Sequence, residues 1–254
     1  MADGFTGASP ILLLCALFFA AALLYSSVGH AGASGYIAAM ALLGMAPEAM
    51  RPTALTLNII VATLATWRLW RAGLVCIPIL VPLVLASIPM AFWGGTIQLP
   101  GQIYRPLVGL VLLVAAAKFL LQPKDESQPG STNTAAPPLW AALVTGCLIG
   151  MLSGLTGTGG GIFLSPLLLL FGWANARSSA GLAAPFILLN SIAGLAGSFA
   201  KSHALPPELP WFALAVLGGA LIGTQLSIKF FSPQVLQRVL GVVLLIAAGK
   251  FLLG

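Results

Sequence analysis

Charge is what this sequence has least of. Of its 254 residues only 6% are Asp, Glu, Lys or Arg: five acidic and eleven basic. A soluble domain carries roughly 25% charged residues. So few charges cannot cover a water-facing surface. That excludes an ordinary cytoplasmic enzyme and a disordered chain. The net charge of +6 is no footprint for nucleic acid, because the basic residues stand singly and form no patch. Carboxylates are scarcest of all. Asp3, Glu48, Asp125, Glu126 and Glu208 lie at segment ends, in loops or at the terminus. None sits within an apolar segment, which argues against a carboxylate proton relay and against a cation site. The three cysteines, Cys15, Cys76 and Cys147, lack CxxC spacing and read as small buried hydrophobes. No Lys or Arg precedes Pro10, so the basic start of a signal peptide is missing and the first apolar segment is expected to stay in place. There is no HExxH, no GxSxG and no Walker-type phosphate loop. No enzyme activity, cofactor or metal is expected.

What is there is apolar. Hydrophobic residues make up 59% of the chain, and the mean hydropathy is +1.04. No charged residue lies between Asp3 and Glu48, Arg71 and Arg105, Glu126 and Arg177, or Arg177 and Lys201. A membrane-spanning helix needs about 20 mostly apolar residues. Runs such as 12–14 and 167–170 are continuously apolar, unlike the alternating strands of a membrane barrel. The expected fold is an all-α polytopic membrane protein of 8 to 10 crossings, with the bilayer as its partner. Apolar segments fall at 10–27, 30–45, 52–70, 74–95 and 102–121, then at 139–153, 159–172, 180–199, 209–228 and 234–253. Between the two sets, residues 122–138 are rich in Pro, Ser, Thr and charge, and read as a linker.

The order of segments repeats, and so do the letters. With a shift of 132, residues 101–121 match residues 233–253 at 11 of 21 positions, including Gln102/Gln234, Gly109/Gly241 and Lys118/Lys250. Apolar composition alone would yield about two or three matches, so this is an internal duplication. The same shift pairs Asn58 with Asn190 and Pro78 with Pro210. A shift of 128 pairs Gly29, Gly32 and Gly44 with Gly157, Gly160 and Gly172. Two repeats are therefore expected, at 1–121 and 139–254. Carriers are commonly built this way, with the substrate between the repeats. Two arrangements fit: five crossings per half with the halves inverted, or four with the halves parallel. With Arg68 and Arg71 cytoplasmic, the inverted arrangement also places Lys118, Lys124, Arg177, Lys229 and Arg238 inside, and only Arg51, Arg105, Lys201 and Lys250 outside. The positive-inside rule favours it.

Chemistry concentrates in two glycine-rich stretches. One runs Ser26-Ser27-Val28-Gly29-His30-Ala31-Gly32-Ala33-Ser34-Gly35, the other Ser153-Gly154-Leu155-Thr156-Gly157-Thr158-Gly159-Gly160-Gly161, with Pro166 beyond. Residues 10–45 as one helix would be about 54 Å long, against a hydrocarbon layer of about 30 Å. The helix must break, and the Ser/Gly cluster is where it can. Irregular backbone at membrane depth is tolerated where it lines a cavity. Free N–H groups and a helix dipole then favour an anion, and Ser27, Ser34, Thr156 and Thr158 add hydroxyls. The bland alternative is close helix packing on small residues. His30 either donates to the anion, couples transport to protons, or bonds a carbonyl. His203 sits in a polar loop and reads as solvated. Asn58 and Asn190, mid-segment, bond either the broken backbone or the substrate. Arg51, Arg105, Arg177 and Arg238 read mostly as snorkelling anchors, with one or two open to lining a vestibule. Trp67, Trp70, Trp93, Trp140, Trp173 and Trp211 read as interfacial anchors.

This layout resembles the TauE/SafE family of membrane transporters, the sulfite exporters. The resemblance spans almost the whole chain and rests on Gly157-Thr158-Gly159-Gly160-Gly161 with Pro166, and on an Asn-containing segment after it. The first half departs from the pattern, with Gly29-His30-Ala31-Gly32-Ala33 and no matching proline. The resemblance implies an inner-membrane secondary carrier for sulfite, sulfoacetate or a related sulfonate, with the two glycine-rich segments meeting at the substrate. The expected site is Ser27, Gly29, His30, Gly32, Ser34 and Asn58 from one half. The other half supplies Thr156, Gly157, Thr158, Gly159, Gly160, Gly161 and Asn190. Expected partners are a small anion, protons through His30, and a second copy in a homodimer. A non-transporting assembly or lipid-handling protein is the alternative.

Overall fold

The computed structural model describes residues 8–27, 29–121, 136–200, 205–226 and 233–253. They form ten helices and no strand. In chain order these are α1 (Ala8–Ser27), α2 (Ala33–Leu42), α3 (Pro47–Arg71), α4 (Ile77–Thr96), α5 (Gly101–Leu121), α6 (Leu139–Thr156), α7 (Gly161–Leu170), α8 (Ala176–Phe199), α9 (Leu209–Leu226) and α10 (Pro233–Leu253). Most of the linker, together with Lys201 and His203, lies outside the described residues. Among the described residues, four stretches are long and apolar enough to cross a membrane: Ser9–Ser27, Ile77–Thr96, Leu139–Thr156 and Arg177–Phe199.

Local signals set the ends. Pro47 opens α3, Glu48 stands in its first turn, and Arg68 and Arg71 stand in its last, each complementing the helix dipole. Asn175 caps α8, its side chain accepting from the Ser178 N–H at 2.9 Å. Pro82 and Pro89 stand inside α4, as membrane helices tolerate more readily than soluble ones.

Helices from different halves pack on one another. The closest pairs are α4 with α6, α1 with α9, and α5 with α10, while α8 packs on both α3 and α4. Glycines make these approaches. An added Cβ at Gly146, Gly150 or Gly154 of α6 would lie 2.2, 2.3 or 2.1 Å from the carbonyl oxygen of Leu83, Ser87 or Ala91. Both series ascend together, so α4 and α6 run the same way. A Cβ added at Gly219 or Gly223 of α9 would lie 2.3 Å from Phe19 O or Leu23 O of α1, again in parallel. Gly181 of α8 meets Leu74 O and Gly197 meets Phe92 O, so α8 runs with α4. Gly109 of α5 meets Leu252 of α10, and Gly241 of α10 meets Leu120 of α5, so that pair is antiparallel. Small residues at membrane helix interfaces let backbones come this close.

The short α2 folds back against α1. Phe18 and Tyr36 meet edge to face at 5.4 Å, and a Cβ added at Gly35 would press on the side chains of Ala21 and Tyr25. Phe212 of α9 closes on Phe18 at 5.0 Å. Most of the tryptophans expected as anchors are exposed, but Trp173 is not. It is only 8% exposed and stacks on Phe171 at 5.1 Å. This Trp belongs to a buried apolar cluster with side chains of α4, α6, α7 and α8.

Candidate functional site at two helix breaks

Each half carries a break between a longer and a shorter helix. Between α1 and α2 the backbone passes through positive φ at Gly29 (79°) and Gly32 (101°). Between α6 and α7 it does so at Gly157 (82°), Gly159 (76°) and Gly160 (81°). Only glycine visits this region at little cost. Gly32 and Gly160 are the N-caps of α2 and α7, and neither helix has a side-chain cap. The first N–H groups of both short helices therefore depend on backbone, water or ligand.

The two breaks meet. A small cavity is lined by Tyr25, His30, Ala31, Gly32, Ala33, Ser34, Asn58, Thr158, Ile162 and Ile187. It thus gathers residues of both halves. Its volume is about 10 Å³, near the minimum that holds one water. His30 is buried, and its Nε2 lies 3.0 Å from Ser165 Oγ on α7. Tyr25 and Ser34 share a hydrogen bond between hydroxyls. Thr158 Oγ1 lies 3.0 Å from Thr156 Oγ1, which also donates to Leu152 O at 2.7 Å.

Asn58 is fully buried on α3 and spans the halves. Its Nδ2 donates to Thr158 O and to Ser191 Oγ, both at 3.4 Å. Gly159 beside it has no room for a side chain: a Cβ there would lie 2.6 Å from Asn58 Nδ2 and 3.0 Å from Ser191 Oγ. Gly161 is held against Ile187 in the same way, near the His30 ring.

Of the residues expected at the site, His30, Gly32, Ser34, Asn58 and Thr158 line the cavity. Gly159 and Gly161 pack directly behind it. The others stand off. Ser27 Oγ bonds back to Leu24 O at 2.7 Å, and Gly29 packs on Ala180. Asn190 donates within its own helix, to Phe186 O at 2.8 Å. Gly157 packs on Arg51, and Gly160 on Ile149 and Phe186. Thr156 reaches the cavity through Thr158 alone.

Arg51 is a correction. It is not a snorkelling anchor, being 4% exposed. Its guanidinium donates to Ile97 O at 2.7 Å, Gly95 O at 3.0 Å and Gly94 O at 3.5 Å. It thereby closes the C-terminus of α4, where cations are favoured. Its stem packs against Gly157, and Tyr104 Oη beneath donates to Thr156 O at 3.2 Å. Tyr25, Ser165, Ser191 and Tyr104 also went unread in the sequence. Their partners lie 9, 135, 133 and 52 residues away, and no local pattern marks such pairs.

Ten helices of this apolarity, with irregular backbone buried between them, define a multi-pass membrane protein with an enclosed polar centre. The TauE/SafE sulfite exporter family model matches residues 13–251, and the chain belongs to that family of membrane transporters. It is similar to the probable membrane transporter protein y4hK of Sinorhizobium fredii (strain NBRC 101917 / NGR234), 41% identical over 239 residues, covering 94% of this chain and 97% of that one. No solved structure matches the chain.

Proposed function

We propose that this protein is a secondary carrier that moves a small anion, sulfite or a related organosulfonate, across the inner membrane by alternating access. The observation that carries the reading is the joint cavity: both glycine-rich breaks contribute to one polar centre, and the N-termini of α2 and α7 start at it. Helix N-termini favour negative charge. Wall groups that can donate include the His30 ring and one hydroxyl of the Tyr25–Ser34 pair, and no carboxylate faces the cavity among the described residues. The family supplies the sulfur-anion class. The shared directions of α4 with α6 and α1 with α9, and the opposed α5 and α10, support two inverted halves. A cavity of one water's size is then the occluded state, and the halves must part to admit substrate.

Thermal stability of the detergent-purified protein against sulfite, sulfoacetate, taurine, lactate, phosphate and chloride tests this reading. Ligand at a hundred times its dissociation constant stabilises by about 2.7 kcal/mol. A dose-dependent shift for sulfite or a sulfonate alone is expected, followed by uptake in vesicles. Equal shifts for every anion, or for none, would count against it.

A further inference from the structure

Resting on the carrier reading, the cavity wall says more about the substrate than its charge. The polar side chains around it are satisfied, with one exception. Tyr25 and Ser34 bond each other, His30 meets Ser165, and Thr158 meets Thr156. Asn58 Oδ1 is buried and has no hydrogen-bond partner. The orientation of this amide is fixed by its neighbour. Thr158 O can only accept, so the amide nitrogen must face it and the oxygen must face elsewhere. None of the other buried side-chain atoms without a partner belongs to a residue lining this cavity, among the described residues. An acceptor left unpaired in the interior is costly.

We infer that Asn58 Oδ1 is a substrate contact that requires the anion to bring a hydrogen-bond donor. An anion made only of acceptors, such as chloride, sulfate or a bare alkanesulfonate, would set its lone pairs against Oδ1. An anion bearing an O–H or N–H would satisfy it: hydrogen sulfite, or a sulfonate with a hydroxyl or ammonium group. The helix ends take the negative oxygens, and Asn58 reads the donor. Sites built to pair with a substrate hydroxyl or amine reject analogues lacking it far more strongly than apolar pockets reject a size change.

Two near-isosteric probes test this at a single pH, so that titration of His30 does not enter. Binding of ethanesulfonate and of 2-hydroxyethanesulfonate is measured by calorimetry on the full purified chain, in wild type and in Asn58→Leu. Wild type is expected to hold the hydroxylated probe about tenfold tighter or more. Asn58→Leu should lose most of that preference, and Asn58→Gln, which keeps an amide oxygen, should recover part of it. Equal affinities in wild type would overturn the inference, and would do so even if Asn58→Leu does not fold. A preference undiminished in a folded Asn58→Leu would also overturn it, leaving Oδ1 to an ordered water. Binding of neither probe, nor of sulfite or taurine, would instead sink the carrier reading itself.

Discussion

At the scale of single residues, glycines that share a conformation differ in their surroundings. Gly159 and Gly44 both have positive φ, at 76° and 78°. A Cβ at Gly44 meets nothing within 4 Å, whereas at Gly159 it meets Asn58, Ile187 and Ser191 at 3.0 Å or less. Gly44→Ala should therefore cost only the backbone strain, about 1–2 kcal/mol, and leave substrate affinity intact. Gly159→Ala should cost similar strain and also displace Asn58, lowering affinity at least tenfold. Thermal melts and ligand titrations on both variants check the contrast, and equal loss of affinity in the two would refute it. The sequence marked Gly159 and Asn58 as site residues through their type and spacing. It could not separate Asn58 from Asn190, which occupy matching positions. Asn58 bonds the backbone of the other half and lines the cavity, while Asn190 turns to Phe186 O in its own helix. That difference is made by packing between segments, which repeat spacing does not encode.

At the scale of elements, helix extents were legible because apolar length and Gly/Pro punctuation dictate them. The segments read at 102–121 and 234–253 became Gly101–Leu121 and Pro233–Leu253. What α6 packs on was half legible. Gly146, Gly150 and Gly154 recur every four residues, a spacing that signals close approach in membranes, though not that α4 is the partner. Gly150→Val should force these backbones apart, since its Cβ would fall 2.3 Å from Ser87 O. The expected loss is about 1–3 kcal/mol or more, read as a lowered melting temperature of the purified protein. Cys147→Ala, one turn of the chain away and only partly buried, should change it little. Arg51 was not legible: a lone Arg near a segment start reads as an anchor until its three carbonyl partners in the α4 terminus are seen. Arg51→Lys offers one compact donor head where a planar fork served three carbonyls. It should destabilise the protein by about 1–3 kcal/mol, with Arg51→Ala worse. A melting temperature unchanged in Arg51→Ala would show that α4 ends without this clamp.

At the scale of the whole molecule, the class was legible from charge scarcity alone, because a bilayer-embedded surface is the one that needs no charge. The interlacing of the halves was not, because α1 contacts α9 and α4 contacts α6 between segments far apart in the sequence. Helix direction follows from those contacts, and it makes a topological prediction. The start of α4 lies by the starts of α6 and α8, and its end by theirs. Gly73, in the turn before α4, and Gly101, at the start of α5 after it, therefore lie on opposite faces. A Cβ at either meets nothing within 4 Å, so each has room for a reporter cysteine, Gly73 at the cost of the backbone strain its φ of 68° imposes. With Arg68 and Arg71 at the end of α3, the positive-inside rule assigns Gly73 to the cytoplasm. In a background where Cys15, Cys76 and Cys147 are replaced by Ser, a membrane-impermeant maleimide added to intact cells should label Gly101→Cys and spare Gly73→Cys until the membrane is opened. The reverse pattern would invert the orientation while keeping the fold. Labelling of both from outside would mean that α4 does not cross the bilayer, and the carrier reading would then lose the wall against which α6 and its break are packed.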